Sequence, residues 1–383
     1  MNESSFGNPS SPVSPARRLT QGPIVTEDML EGSDGKNING PALILAPEWL
    51  PQRLGRFYLY FAHHRGRYIR LAYADRVEGP WTVHRPGTLQ LANATGCRDH
   101  IASPDVHIDH ANKKIYMFFH GVEAGGDRQS TFLASSRDGV HFEAGEALID
   151  NFYLRMVQWR NTWIGMAKGG VMYRSDAGFG NLRQLTEPAF PMKHRLANAP
   201  GDVRHVALQV AGDELHIYFT RIGDKPERIF RARIDLLLPP ENWHAKNIEP
   251  VLAPSMEWEG ADLTPNESQP GASTGRENAV RDPAIFVHDA RTYLLYSVAG
   301  ESGIGIAEIM PNGWSAQGSD RPKPHKPGVL ISAKLPNPSN LAMDTVYFNT
   351  INRLAQPGNL DAQMAVIDRD RPPLKRIYVM GCG

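Results

Sequence analysis

Four titratable side chains, spread widely along the chain, are the candidates for acid–base chemistry. Asp105, Glu123 and Asp282 carry carboxylates, and His205 carries an imidazole. General acid–base catalysis needs one group that donates a proton and another that accepts it, and an imidazole can do either near neutral pH. We therefore predict catalytic roles for these four residues if the fold brings them together. Alternatively, Asp105 and Asp282 only accept hydrogen bonds at strand starts or pair with Arg281.

A second group of polar residues could bind a substrate. Its arginines suit an anionic partner such as a uronic acid, because a guanidinium donates two parallel hydrogen bonds to a carboxylate. The group comprises Asn39, His63, His64, His120, Arg155, Lys168, Arg204, Arg221, Arg281 and Glu301. Since the chain has 41 basic and 41 acidic residues, pairing of these arginines with nearby acids such as Asp202 is an equal alternative.

No motif indicates a metal or a cofactor. The histidines and acids show no metal-binding spacing such as HExxH. The Gly-rich loops at 125–129 and 300–305 do not join a strand to a helix, as nucleotide-binding loops do. The two cysteines, Cys97 and Cys382, lie far apart and are expected to be free thiols. We expect neither a metal nor a cofactor.

A repeated pattern of strands positions these residues. In its most complete copy, 281–309, a polar tripeptide leads into an apolar strand, a turn, an aromatic-rich strand, a Gly-containing loop and a third strand. Aromatic and β-branched residues at the strand period predict strands rather than helices. Altered copies cover 39–75, 102–139 and 203–234, and a degenerate copy covers 151–178. Five copies, starting near 39, 103, 152, 204 and 281, predict an all-β, five-bladed β-propeller.

The two ends of the chain lack this pattern. Residues 1–21, rich in Ser, Pro and Asn, are predicted to form a flexible N-terminal arm that could mediate homo-oligomer formation. Residues 22–383 are predicted to form the single propeller domain. Its last blade needs a closing outer strand, for which residues 22–26 and 374–383 are equal candidates.

Composition narrows the class of partner. Balanced charge argues against the broad positive field typical of nucleic-acid-binding proteins. The N-terminus lacks the apolar segment of a signal peptide, and no apolar run reaches the roughly 18 residues of a membrane span. We therefore expect a cytoplasmic protein without nucleic-acid or membrane partners.

The blade geometry predicts which residues meet. Strands of a propeller blade run alternately up and down, so the start of each first strand lies on the same face as the end of each second strand. The candidate residues fall in these two places. We expect them to converge on one polar mouth around the axis.

Several segments carry a family resemblance. Ser103-Pro104-Asp105-Val106 and Arg281-Asp282-Pro283 are similar to blade-start motifs, and 71–81 and 133–143 look like third-to-fourth strand runs. With these segments the chain resembles the five-bladed propeller glycosidases of family 43, which have sucrose-cleaving and mannoside-phosphorylase relatives. The resemblance implies an Asp base in blade one, an Asp in blade two that tunes the acid, and a Glu acid in blade three.

The chain departs from that family pattern at two of the three positions. Asp105 matches the blade-two aspartate. Blade one starts with Asn39-Gly40-Pro41, and blade three with Tyr153-Leu154-Arg155-Met156, so neither has the expected acid. A looser relative group of this fold is thought to use His as the general acid.

The resemblance implies a carbohydrate substrate and a glycosidase-like activity. We expect Asp105 to tune the catalytic acid, Asp282 or Glu123 to act as base, and a histidine to donate the proton. Two alternatives remain open. One is a polysaccharide lyase acting on a uronate, and the other is a sugar-binding propeller without catalysis.

Overall fold

The computed structural model describes residues 15–194 and 197–310, which form strands and short 3-10 helices but no α-helix. The strands are β1 (Ala16–Arg18), β2 (Val25–Thr26), β3 (Asn39–Leu45), β4 (Phe57–Ala62), β5 (Arg70–Ala74), β6 (Thr82–His84), β7 (Cys97–Asp109), β8 (Lys114–Glu123), β9 (Gln129–Ser136), β10 (Glu143–Ile149), β11 (Arg155–Trp159), β12 (Thr162–Ala167), β13 (Val171–Ser175), β14 (Arg183–Gln184), β15 (Val203–Ala211), β16 (Glu214–Arg221), β17 (Ile229–Asp235), β18 (Lys246–Leu252), β19 (Val280–His288), β20 (Arg291–Val298) and β21 (Gly303–Ile309). The 3-10 helices span Glu27–Met29, Gly32–Lys36, Leu91–Asn93, Lys168–Gly170, Pro240–Asn242 and Glu257–Glu259.

The strands form five antiparallel sheets, which are the blades of a five-bladed β-propeller. Four blades use strands in chain order, β3 to β6, β7 to β10, β11 to β14 and β15 to β18. The fifth has the order β19-β20-β21-β1, and β2 also pairs with β21. The innermost strands start at residues 39, 97, 155, 203 and 280, within a few residues of the predicted starts. The predicted all-β, five-bladed fold is confirmed.

The aromatic-rich second strands are buried on both faces. All six residues of β4, Phe57–Ala62, are buried. The buried apolar side chains form five clusters, and each cluster draws its members from two neighbouring blades. A sheet packed between two others needs apolar side chains on both faces, which explains why these strands read as nearly continuous apolar runs.

The N-terminal segment closes the last blade. Ala16 pairs with Ile309 and Arg18 with Ala307, while Val25 pairs with Ile304. The candidate closing strand within 22–26 is therefore used, and strand β1 precedes it. The alternative candidate, 374–383, lies outside the described residues.

The predicted arm over 1–21 needs correction at its C-terminal end. Residues 15–21 belong to the described part, and Ala16–Arg18 is a strand because its backbone satisfies the free edge of β21. The fold thus begins before residue 22. Residues 1–14 and the end of the predicted domain, 311–383, lie outside the described residues. No helix in the described part is long and apolar enough to cross a membrane.

Candidate functional site

The innermost strands are irregular where they begin. Pairing is interrupted between Asn39 and Ala42 in β3, and the same interruption occurs in β7, β15 and β19. Such bulges redirect side chains and are common beside functional sites. Left-handed backbone marks this place in four blades, at Gly40 (φ 58°), Ser103 (φ 51°), Tyr153 (φ 58°) and Asp282 (φ 49°).

The bulge shows which residues are equivalent. In three blades the left-handed residue is followed by proline, in Gly40-Pro41, Ser103-Pro104 and Asp282-Pro283. In β7, Ser103 therefore takes the place that Asp282 takes in β19. Asp282 is the carboxylate at this position.

Asp105 lies two residues beyond the bulge and faces a different space. It lines a cavity of about 470 Å³, enclosed by β3, β7, β11, β15 and β19 further along the axis. Its Oδ2 atom is 2.8 Å from His107 Nε2 and accepts a hydrogen bond from the Met156 backbone N–H at 2.8 Å. Burial alone would raise the pKa of Asp105, but His107 and Arg155 hold it below the ordinary value. The expected place of Asp105 at the mouth is wrong, because the bulge shifts the phase of the strand.

Asp282 and His205 form the centre of the axial site. His205 lies in the bulge of β15, and its Nδ1 atom is 3.1 Å from Asp282 Oδ1. The contact is close, but Nδ1 is not aligned for a hydrogen bond. Ser297 donates a hydrogen bond to Asp282 Oδ2 at 3.2 Å. Asp282 and His205 are each only 5% exposed.

Burial shifts the pKa values of Asp282 and His205 in opposite directions. Burial and the charge of Glu301 raise the pKa of Asp282 above its ordinary value, although Arg204 and Arg281 act against this. Burial, with the nearby arginines, lowers the pKa of His205 well below its ordinary value. The site therefore holds a neutral imidazole beside a carboxylate that takes up a proton more readily than usual.

An aromatic group separates this pair from the solvent. The Tyr153 ring contacts the rings of His205 and His120, each at a centroid distance of 4.8 Å, and it also contacts Phe152 at 4.9 Å. Burial raises the pKa of Tyr153 well above its ordinary value. His120 is 4% exposed, and burial lowers its pKa well below the ordinary value.

A large cavity opens above this aromatic group. Its volume is about 1120 Å³, and Tyr153 and Phe152 form part of its lining. Polar side chains also line it, including His64, His100, Lys168 and Asn198. A cavity of this size, with mixed polar and aromatic lining, suits a sugar chain better than a small apolar ligand.

Two arginines beside the pair bind glutamates of the protein. Arg204 contacts Glu227 Oε2 at 3.1 Å, and Arg281 contacts the same atom at 2.9 Å. Arg281 also contacts Glu277 at 2.6 Å. Both guanidinium groups are therefore neutralised by acids of the protein. This agrees with the alternative that the arginines pair with acids of the chain, and not with the prediction that they bind an anionic substrate.

Glu301 belongs to a second polar group. It accepts a short hydrogen bond from Asn37, lies 3.7 Å from His64 Nδ1, and lies 3.8 Å from Arg281. Burial would raise the pKa of Glu301, but His64 and Arg281 hold it below the ordinary value. Asn39 supports this group by donating a hydrogen bond to Asn37 Oδ1 at 3.1 Å.

Four other candidates lie away from the axial centre. Glu123 binds Arg128 Nε at 2.9 Å and the Ser130 hydroxyl, so its carboxylate is already engaged. Arg221 pairs with Asp224 at 3.2 Å. The other two are His63, whose Nδ1 accepts the Arg65 backbone N–H, and Arg155, which donates to the carbonyls of Ser103 and Pro104 beside the second cavity.

Glu227 and Tyr153 are site residues that sequence reasoning missed, as are Asn37, His100 and Asn198. Glu227 stands just before β17, and the start of a third strand lies on the same face as the end of the second. Extending the blade argument to third strands would have found it. Tyr153 could have been found as the counterpart of Asp282 in the third blade. Within residues 15–194 and 197–310, no group of three or more His, Cys, Asp or Glu side chains is arranged to hold a metal ion.

Comparison with known proteins gives one relative in sequence. The uncharacterized protein R118 of Acanthamoeba polyphaga mimivirus is 37% identical over 303 residues, which cover 73% of this chain and 85% of R118. No protein-family profile matches the chain.

Solved structures give the fold. A glycoside hydrolase superposes with a TM-score of 0.57 at 13% identity, covering 80% of this chain and 96% of the other. A family-43 β-xylosidase/α-arabinofuranosidase from a compost microbial metagenome, solved with xylotriose in a calcium-free form, gives 0.52 at 12%, covering 78% and 96%. A thermostable family-43 glycoside hydrolase gives 0.50 at 14%, covering 71% and 88%. The propeller is structurally similar to family-43 glycoside hydrolases at low sequence identity, as the resemblance implied.

Proposed function

The chain belongs to the same protein family as the mimivirus protein R118, and since its propeller encloses a polar axial site, we propose that it is a glycosidase-like enzyme that cleaves a glycosidic bond in an oligosaccharide. The observation that carries this proposal is the buried carboxylate of Asp282, 3.1 Å from His205 and beneath the cavity floor at Tyr153. Among the described residues, no lysine or arginine lies within ion-pair distance of this carboxylate. It has a raised pKa and contacts a neutral ring.

We assign the base to Asp282. Glycoside hydrolysis needs a group that activates water and a group that protonates the leaving oxygen. Ionised Asp282 can accept the proton of a water molecule. His205 contacts the carboxylate from the neighbouring blade, and Ser297 donates a hydrogen bond to it.

We assign the proton donor to His64. It lines the cavity, whereas burial lowers the pKa of His120 and of His205 well below the ordinary value, so both are neutral and poor proton donors. Its ring nitrogen lies 3.7 Å from Glu301, a carboxylate that Asn37 and Arg281 hold in place. This arrangement replaces the acids that the chain lacks in blades one and three.

The test is turnover of a panel of aryl glycosides and plant or microbial oligosaccharides. Wild type should release product from at least one of them, and Asp282→Asn and His64→Gln should not. Arg183→Gln, which changes an exposed residue of the outer strand β14, is the control for non-specific effects of a substitution and should match wild type. Full turnover by Asp282→Asn would disprove the assignment.

One observation favours a second function, the binding of sugars without catalysis. Asp282 and His205 are covered by Tyr153, and Arg204 and Arg281 are paired internally. Binding of an oligosaccharide with no product over long incubation, in wild type and Asp282→Asn alike, would support this second function. A uronate lyase has less support, because the two arginines beside Asp282, Arg204 and Arg281, are paired with glutamates of the protein.

A further inference from the structure

Most cations around the large cavity are already neutralised by the protein. Arg204 and Arg281 share Glu227. At the rim, Arg128 contacts Glu123 at 2.8 Å. These three side chains have little charge left to offer a ligand, and Arg65, which also lines the cavity, is exposed to solvent rather than half-buried.

Lys168 is different. It lines the cavity, is half-buried, and its Nζ atom donates a hydrogen bond to the neutral Asn198 Oδ1 at 2.5 Å. The same atom stands 5.0 Å from the centre of the Phe152 ring. Among the described residues, no carboxylate lies within ion-pair distance of it, and the Asp202 carboxylate accepts the backbone N–H groups of Lys193 and Ala199 instead.

The turn that carries Lys168 is held firmly. Gly169 and Gly170 both have left-handed backbone, with φ of 78° and 76°. A Cβ atom on Gly169 would come within 2.8 Å of the Met192 sulfur, and one on Gly170 within 2.8 Å of the Phe190 ring. The close packing fixes the backbone from which the Lys168 side chain enters the cavity, and Asn198 holds its Nζ atom.

We propose that Lys168 is the residue that recognises an acidic group on the sugar, so that the substrate is an oligosaccharide containing an acidic sugar. A half-buried ammonium group has lost part of its hydration, and Lys168 has no carboxylate partner to compensate for that loss. An anionic ligand would supply the missing opposite charge and would therefore bind favourably. The adjacent Phe152 and Tyr153 rings offer apolar faces to the sugar ring. Burial lowers the pKa of Lys168 to about 8, and a bound anion would raise it again. This inference rests on the proposed use of the cavity for sugars.

The experiment measures binding, not turnover. Wild type is titrated calorimetrically with glucuronate, galacturonate and a sulfated galactose, each against its neutral parent sugar. Lys168→Met removes the charge at similar length, and Lys168→Arg retains it. The control is Lys193→Met, which removes an exposed lysine next to Met192 whose Nζ donates to the Pro200 carbonyl.

We expect wild type, Lys168→Arg and Lys193→Met to bind at least one acidic sugar about tenfold more tightly than its parent. Lys168→Met should lose this preference. A preference for the uronates alone would identify a carboxylate ligand, and for the sulfated sugar alone a sulfate ligand. Equal binding of acidic and neutral sugars by wild type, binding of none of the acidic sugars, or an unchanged preference in Lys168→Met would overturn the proposal.

Binding and turnover separate this inference from the proposed function. An acidic-sugar preference that depends on Lys168, with no glycoside cleaved, would leave the inference standing and refute the glycosidase. Cleavage of neutral glycosides with no acidic-sugar preference would do the reverse.

Discussion

His205 Nδ1 and Asp282 Oδ1 lie 3.1 Å apart, although the two residues belong to the innermost strands of neighbouring blades, β15 and β19. Each sits in a bulge at the start of its strand. Their contact depends on how the two blades pack, and no local sequence pattern can produce it. The His205 Nδ1 atom makes no aligned hydrogen bond to this carboxylate, and the Tyr153 ring lies against His205.

The first prediction concerns Asp282→Asn. Asparagine has the same shape and tolerates left-handed backbone, so the fold should be kept. Loss of the base should lower kcat/KM by at least about 100-fold. The measurement is steady-state kinetics on the substrate found in the panel. Comparable loss in Asp105→Asn, which lies at the second cavity, would show that the effect is not specific to the axial site.

The same substitution should stabilise the protein at neutral pH. The pKa of Asp282 is higher in the folded than in the unfolded state. The free energy of unfolding therefore falls as pH rises from the unfolded-state pKa through the folded-state pKa. Asp282→Asn should therefore raise the free energy of unfolding by roughly 1–2 kcal/mol at neutral pH. The gain should shrink as pH falls towards the raised pKa. Urea unfolding at several pH values measures it, and a loss of stability at neutral pH would contradict the assigned shift.

The pH dependence of catalysis gives a third prediction. If ionised Asp282 is the base, kcat/KM should fall on the acid side with a pKa clearly above the ordinary 3.8 of an aspartate. A pH–rate profile of wild type measures this limb. Arg281→Lys should keep a cation near Asp282 and leave the limb in place. An acid limb at or below the ordinary aspartate value would exclude Asp282 as the base.

The fourth prediction concerns Tyr153→Phe. The ring contacts with His120 and His205 remain, and the hydroxyl group makes no hydrogen bond to another described residue. The free energy of unfolding should change by less than about 0.5 kcal/mol. If the Tyr153 hydroxyl group hydrogen-bonds to the substrate, the KM of Tyr153→Phe should be several-fold higher than that of wild type. Tyr116→Phe, in a different cavity, is the control and should leave KM unchanged.

The blades could be predicted from the sequence because their signal is local. The aromatic second strands, such as 57–62 and 114–123, are buried on both faces and keep an apolar pattern that sequence alone reveals. Strand direction predicts that His64, His120, His205 and Asp282 lie on one face of the propeller, but it does not predict the contact between His205 and Asp282.

Which residues of each first strand face the axial mouth could not be predicted in the same way. Ser103 adopts left-handed backbone although it is not a glycine, so the bulge that turns Asp105 away from the mouth leaves no residue-type signal. The proline after Gly40, Ser103 and Asp282 is the one clue. The pairing of Arg204 with Glu227 depends on a loop position that the five-fold pattern did not include.

The last prediction compares Arg17 and Arg18, the two arginines of strand β1. Arg18 donates hydrogen bonds to both oxygens of Glu259, at 2.7 and 2.6 Å, and that carboxylate is fully buried. Arg18→Ala would leave it without a cation, which should lower the free energy of unfolding by about 3 kcal/mol. Arg17 is 47% exposed, and Arg291 also binds its partner Glu308, so Arg17→Ala should cost less than about 1 kcal/mol. Urea unfolding of the two variants measures the difference. Equal effects would mean that the strand closes the propeller through its backbone alone.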